Sequence, residues 1–234
     1  MKAIVMISFK MRSNVWLASA AVIGTLALTP AAIAQAPMEP AAKAKAEKGP
    51  MLPSSTVAGK VARYFITPVG DVEGLVLDSG TIARLPIHMG KDLVKVVKIG
   101  DEVKIEGVKD NEGTAFRVYS ITNVNSKQSV VKRDKKWTEV TMPRIVRSLG
   151  LKELTANGAV QTILTGPRGE PNGVILDNGT IVRFGKDAAY AASTQMKVGA
   201  RLAAKGYGTE NEYGRALDAA SIGETPETMK TIVR

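Results

Sequence analysis

The strongest constraint on the fold of this chain is an internal repeat with a constant offset of 99 residues. The segment GLVLDSGTIARLP begins at Gly74, and the closely similar segment GVILDNGTIVRFG begins at Gly173. Residues 59–107 align with residues 158–206 without a gap, and many of the identical pairs are glycines. A period of this length equals a small domain, so we predict a tandem duplication and not a solenoid of short repeats.

Each copy of the repeat reads as five strands and one short helix. The runs GKVARYFITP and GAVQTILTGP end at proline and glycine and predict the first strand of each copy. Asp78-Ser79-Gly80 and Asp177-Asn178-Gly179 predict a hairpin between the second and third strands, with a two-residue or a three-residue loop. The segments KDLVKVVK and AAYAASTQMK each predict a short helix, and two further strands follow it. The repeated glycines are expected to supply turns with positive φ.

The order strand, strand, strand, helix, strand, strand is that of the OB-fold barrel. In this layout and in its turn glycines, the chain resembles exported bacterial OB-fold proteins. The predicted fold class is therefore all-β, with two tandem, small, OB-like five-stranded barrels at residues 53–124 and 152–223, each with one short helix. A C-terminal tail is predicted at residues 224–234. Two SH3-like barrels are the alternative, and they would lack the helix.

Residues 1–36 have the pattern of a cleaved secretory signal peptide. Basic residues precede an apolar run from Val15 to Leu28, and small residues follow at the expected cleavage positions. Because this run is short for a bilayer span, we favour cleavage over a membrane anchor. Translation begins at either Met1 or Met11. A periplasmic or secreted protein is expected, with no transmembrane segment after cleavage, and residues 37–52 are expected to be a disordered tether.

The basic charge is concentrated between the two barrels. The whole chain has a formal charge of +10, and removal of residues 1–36 leaves 29 Lys and Arg against 22 Asp and Glu. Residues 125–157 carry eight basic and three acidic residues, whereas each repeat is close to neutral. The predicted linker, residues 125–151, contains a short helix between Thr141 and Gly150. Its candidate polyanion-binding residues are Lys132, Arg133, Lys135, Lys136 and Trp137.

Arg84 and Arg183 occupy equivalent positions in the third strand of each copy and are candidate ligand-binding residues. By strand alternation, Arg84 shares a face with Ile82 and is opposite Ala83. Each arginine could bind a carboxylate, phosphate or sulfate, or form a cross-strand ion pair. Arg168, in the loop after the first strand of copy two, is a third candidate. The loops beside the usual OB-fold binding face are rich in acidic residues, which argues against a nucleic-acid groove.

No catalytic motif is present. The chain has no cysteine and a single histidine, His88, and it lacks nucleophile and nucleotide-binding signatures. The carboxylates of the loops lack the spacing of a calcium loop. No metal, cofactor or catalytic residue is therefore assigned. The sequence predicts a non-catalytic binding protein of the cell envelope, with a protein, an oligosaccharide or a small anion as partner. Binding of single-stranded nucleic acid or an anionic surface through the linker is the alternative.

Overall fold

The structure is a computed structural model that describes residues 54–110, 115–136, 148–166, 168–185 and 196–232. The predicted signal peptide and tether lie outside the described residues. So do most of the predicted linker helix and most of the predicted helix of copy two. The described barrels belong to one compact unit, Lys48–Arg234. Within the described ranges, no helix has the length and apolarity needed to cross a bilayer.

Five strands close the first barrel. They are β1 (Ser55–Ile66), β2 (Val72–Leu77), β3 (Ile82–Arg84), β4 (Glu102–Lys109) and β5 (Ala115–Asn123). Strand β1 pairs antiparallel with both β2 and β4. Strand β3 pairs antiparallel with β2 and parallel with β5, and β4 pairs antiparallel with β5, which closes the barrel. This connectivity is that of the OB fold.

The second barrel repeats this connectivity. Its strands are β7 (Lys152–Thr165), β8 (Pro171–Leu176), β9 (Ile181–Arg183), β10 (Arg201–Asn211) and β11 (Gly214–Gly223). Strand β7 pairs with β8 and β10, β8 pairs with β9, and β10 pairs with β11, all antiparallel. The parallel pair of β9 and β11 again closes the barrel.

The duplication extends to the pairing register. Val61 pairs with Leu77 in the first barrel, and Val160 pairs with Leu176 in the second. The irregularities in strand pairing also fall at equivalent positions, including the one before Gly107 and the one before Gly206. The predicted tandem duplication and the predicted all-β class are confirmed.

A short helical segment separates the third and fourth strands of the first barrel. A 3₁₀ turn at Ile87–Met89 leads into α1 (Gly90–Val96). Met89 and Leu93 on this segment are buried in the core of barrel 1. The helix between the third and fourth strands is as predicted for an OB fold, and it argues against the SH3-like alternative.

The repeated glycines serve two different purposes. Gly80 and Gly179 have φ values of 81° and 84° in the two hairpin turns, as predicted. Gly107 and Gly206 instead lie where strands approach closely. A Cβ on Gly107 would lie 2.1 Å from the carbonyl oxygen of Arg117, and one on Gly206 would lie 2.0 Å from that of Asp218. Positive φ alone therefore does not explain the repeated glycines.

Short strands extend both sheets beyond the barrels. Strand β6 (Ser129–Val131), within the predicted linker, pairs with β5. Strand β12 (Lys230–Thr231), within the predicted C-terminal tail at residues 224–234, pairs with β11. Val130 is buried in the core of barrel 1, so the start of the predicted linker, called the basic segment (residues 125–151) below, is held against that barrel.

Candidate functional site

The two barrels pack together through the outer faces of equivalent strands. In barrel 2, Val174, Leu176 and Val182 belong to the interior cluster. Ile175 and Ile181 alternate with them along β8 and β9, and they belong instead to a cluster shared with barrel 1. This shared cluster contains three equivalent pairs from the two copies: Phe65 and Leu164, Val76 and Ile175, and Ile82 and Ile181. Strand β2 is consequently buried along its whole length.

A carboxylate at this interface joins the two repeated arginines. Glu73, on β2, is buried with only 7% of its surface exposed. It accepts a hydrogen bond of 3.3 Å from Arg84 Nη2 and a second, shorter one from Arg183 Nη2 of the other barrel. Both guanidinium groups also lie over the ring of Phe65, with Cζ 5.9 Å (Arg84) and 5.0 Å (Arg183) from its centroid. The two predicted ligand-binding arginines thus meet at one ion-pair cluster, the Glu73 cluster.

Arg183 is the most buried of the charged groups around Glu73 that show a shifted pKa. Burial lowers the pKa of Arg183 from its usual value, while the carboxylates of Glu73 and Asp218 act in the opposite direction. Asn172 occupies the position in copy two that Glu73 occupies in copy one. Within the part of the chain that the structure describes, its Oδ1 is buried without a hydrogen-bond partner, as is Arg183 Nε. The interface is therefore symmetric in its apolar residues and asymmetric in its charges.

This packing covers the surface that OB folds usually use for binding. Ligands of OB folds commonly bind the face of the second and third strands, between the adjacent loops. Here Glu73 on β2 accepts a hydrogen bond from Arg183 on β9 of the other barrel. Val76 on β2 and Ile82 on β3 belong to one buried cluster with Ile175 and Ile181 of that barrel. The sequence carried a signal of this interface that alternation alone could have revealed. Val76 and Ile82, like their counterparts Ile175 and Ile181, are apolar at positions that face away from the barrel interior.

A basic cleft lies at the edge of barrel 1, beside the Glu73 cluster. Its volume is about 210 Å³, and Arg84, Arg117, Lys132 and Asp110 supply its charged side chains. Arg117 Nη2 donates to Asp110 Oδ1 at 2.7 Å. Lys132 Nζ lies 5.7 Å from the centroid of the Tyr119 ring. We call this cavity the basic cleft; it brings one arginine predicted from the repeat together with one lysine predicted from the linker.

The remaining polyanion candidates have different environments. Arg133 Nη2 donates to Asp92 Oδ2 at 2.9 Å, and its carbonyl oxygen lies 3.1 Å from His88 Nε2. Arg133 thus connects the basic segment to the helical region of barrel 1. Lys135 and Lys136 are exposed. Trp137 lies outside the described residues.

The third arginine candidate stands apart from both of these sites. Arg168 is exposed in the loop between β7 and β8, where its backbone N–H donates to Glu170 Oε2 at 3.0 Å. Among the described residues, no group of three or more His, Asp or Glu side chains is arranged to hold a metal ion.

Comparison with known proteins identifies no family. No protein-family model matches the chain. No curated protein matches it. A solved structure of a deletion variant of the single-stranded DNA-binding protein from Thermus aquaticus is similar at 13% identity, with a TM-score of 0.22, over 78% of this chain and 95% of that chain. A likeness of this size transfers no binding residue, and the fold assignment rests on connectivity: the chain contains two tandem OB-fold barrels.

Proposed function

We propose that this chain is a non-catalytic, exported binding protein of the cell envelope that holds an anionic group in the basic cleft of barrel 1. The observation that carries the proposal is the convergence of Arg84, Arg117 and Lys132 on one cavity. Arginine and lysine are the side chains that bind phosphate, sulfate and carboxylate groups. The usual OB-fold face is covered by the other barrel, so the cleft at its edge becomes the better candidate.

The pairing of the three cations favours Lys132 as the primary contact. Arg84 shares Glu73 with Arg183, and Arg117 is paired with Asp110. Among the described residues, Lys132 has no carboxylate partner, and its ammonium group is exposed above the Tyr119 ring. An incoming anion would therefore pair with Lys132 without first breaking an ion pair. Arg84 and Arg117 would add positive potential around it.

Single-stranded nucleic acid is the second candidate ligand, and one observation favours it. Tyr119 lies beside Lys132, and exposed Lys135 and Lys136 follow along the chain. An aromatic ring next to a row of cations is the chemistry on which bases stack and phosphates bind. The acidic loops still argue against a groove along the barrel faces, so any such strand would follow the basic segment.

Titrations with three anions test this proposal. We would measure binding of inorganic pyrophosphate, heparin oligosaccharide and a 20-nucleotide oligothymidine to the purified protein and to Lys132→Ser. Loss of one charge-assisted contact should raise the Kd of the anion about tenfold. Lys104→Ser is the matched control, because Lys104 is an exposed strand lysine, paired with Glu106, that does not line the cleft. Arg133 is left unchanged because its ion pair with Asp92 holds the segment in place.

The outcomes separate the candidate ligands. Binding of pyrophosphate that depends on Lys132 supports a small-anion site. Binding of oligothymidine alone, with a steep decrease as salt rises, supports nucleic acid, because that dependence reflects counterion release. Equal effects of Lys132→Ser and Lys104→Ser would contradict a specific site in the basic cleft.

Export and the absence of catalysis are parts of the same proposal. The charged, apolar and small-residue segments of residues 1–36 support export through a cleaved signal. The absence of a nucleophile motif in the sequence supports a binding role. Mass measurement of the secreted or periplasmic protein is expected to give an N-terminus at Gln35 or Pro37. Recovery of the intact chain in the membrane fraction would contradict this localisation.

A further inference from the structure

A second cavity lies between the barrels, away from the basic cleft. Its volume is about 530 Å³, within the range of small-molecule sites. Strand β1 of barrel 1 forms one wall with Arg63 and Tyr64. The hairpin at Asn178 and the loop from Glu210 to Arg215 form the opposite wall. We call this cavity the inter-barrel cleft.

Arg63 is the most informative residue of the inter-barrel cleft. It is half-buried, and its Nη1 is buried without a hydrogen-bond partner among the described residues. The guanidinium group lies against Gly179 of the other barrel, where a Cβ would be 2.5 Å from Nη1. A buried N–H of a charged group costs free energy when it is unpaired, so its position calls for an explanation. Copy two has Thr162 at the equivalent position, so the duplication does not account for Arg63.

The facing wall supplies hydrogen-bond acceptors and an aromatic ring. Glu210 and Glu212 are exposed beside the cleft, and Arg215 Nε lies 3.8 Å from Glu210 Oε2. The Tyr213 ring contacts Tyr64 edge-to-face, with centroids 5.5 Å apart. Tyr213 is only half-buried, so part of it borders the cavity.

The charges of this cleft select against a polyanion. Two arginines, Arg63 and Arg215, and two carboxylates, Glu210 and Glu212, line this cleft, so its formal charges cancel. A phosphate-rich polymer would be attracted by the two arginines and repelled by the two carboxylates. A ligand with many hydroxyl groups can accept hydrogen bonds from guanidinium groups and donate hydrogen bonds to carboxylates. Its C–H groups can also pack on a tyrosine ring.

We infer that the inter-barrel cleft binds a neutral oligosaccharide, with Arg63 as the main hydrogen-bond donor. This site is separate from the basic cleft and does not depend on the anion-binding function proposed above. Residues of both barrels line it, so the packed arrangement of the duplicated domains creates the site.

The test uses three neutral trisaccharides, maltotriose, cellotriose and triacetylchitotriose, with trigalacturonic acid as the charged comparison. Isothermal titration and ligand-observed NMR would measure their binding to the purified protein. Binding of at least one neutral trisaccharide is expected, with about a tenfold loss in Arg63→Ala and no change in Lys132→Ser. Glu212→Gln, on the opposite wall, should also weaken binding, and it provides a second test if Arg63→Ala does not fold.

Three results would overturn the inference. They are no binding of any neutral trisaccharide at 10 mM, a concentration chosen to reveal a Kd of about 1 mM; unchanged binding in a folded Arg63→Ala or Glu212→Gln protein; and preference for trigalacturonic acid. Failure here with retained, Lys132-dependent anion binding would leave the basic cleft as the only supported site. Loss of the anion site alone would leave the inter-barrel cleft unaffected.

Discussion

Glu73 on β2 of barrel 1 accepts a hydrogen bond from Arg183 on β9 of barrel 2, across 110 residues of sequence. The same carboxylate accepts a hydrogen bond from Arg84, the counterpart of Arg183 in the repeat. Duplication thus produced two arginines that share one acid. An ion pair removed from water contributes little by itself, but loss of one partner leaves the other charge unpaired. The Glu73 cluster is therefore expected to favour the correct packing of the two barrels.

Replacing Glu73 with glutamine should destabilise the protein strongly. The change keeps the size of the side chain and leaves two guanidinium groups together at a buried interface. We expect a loss of about 3 kcal/mol in the free energy of unfolding, measured by urea denaturation. Glu106→Gln is the control, because Glu106 pairs with Lys104 at an exposed site and should change stability by less than about 1 kcal/mol. Equal effects would contradict a structural role for Glu73.

A carboxylate at position 172 should rescue the Glu73 variant. Asn172 stands where copy two would place the counterpart of Glu73, and the neighbouring Gly173 pairs with Arg183. Asn172→Glu in the Glu73→Gln background should recover about 1 kcal/mol or more, because it restores an acid beside Arg183. The double variant is compared with each single variant by urea denaturation. Strictly additive effects would show that position 172 does not reach the cluster.

Gly107 should not tolerate alanine. A Cβ at this position would lie 2.1 Å from the carbonyl oxygen of Arg117 on the neighbouring strand, which cannot move without disturbing the barrel. We expect a loss of about 2 kcal/mol in stability, measured by thermal and urea denaturation. Gly150→Ala is the control, since a Cβ there meets no atom of the described residues within 4 Å. A Gly107→Ala variant with an unchanged free energy of unfolding would contradict the close approach of β4 and β5.

Tyr64 should make stability depend on pH in the alkaline range. Burial raises the pKa of Tyr64 above its usual value of 10.0, and the hydroxyl donates to the carbonyl oxygen of Val97 at 2.7 Å. A pKa raised in the folded state gives a contribution that is complete below about pH 10 and is lost as the pH rises through the folded value. Tyr64→Phe should therefore flatten the alkaline decrease of the free energy of unfolding. Tyr207→Phe, at an exposed site, should retain the decrease.

The fold of each barrel could be predicted from local patterns. Asp78-Ser79-Gly80 and its counterpart specify hairpin turns because glycine there adopts positive φ. The constant offset predicted a tandem duplication, and the equal pairing registers of the two copies agree with it. The arrangement of the barrels was not predicted. It depends on residues such as Val76 and Ile175, which alternation places on the outer faces of their strands, whereas the surface that covers them is far away in the sequence.

The sequence by itself determined two OB-fold barrels, because turn glycines and strand alternation act between near neighbours in the chain. It also placed Arg84 and Arg183 on equivalent strand faces. Only the tertiary structure decided that both arginines meet Glu73, and that Arg84, Arg117 and Lys132 line one cleft. Such contacts join residues that are far apart in the chain, and their geometry depends on how the barrel surfaces exclude water from one another.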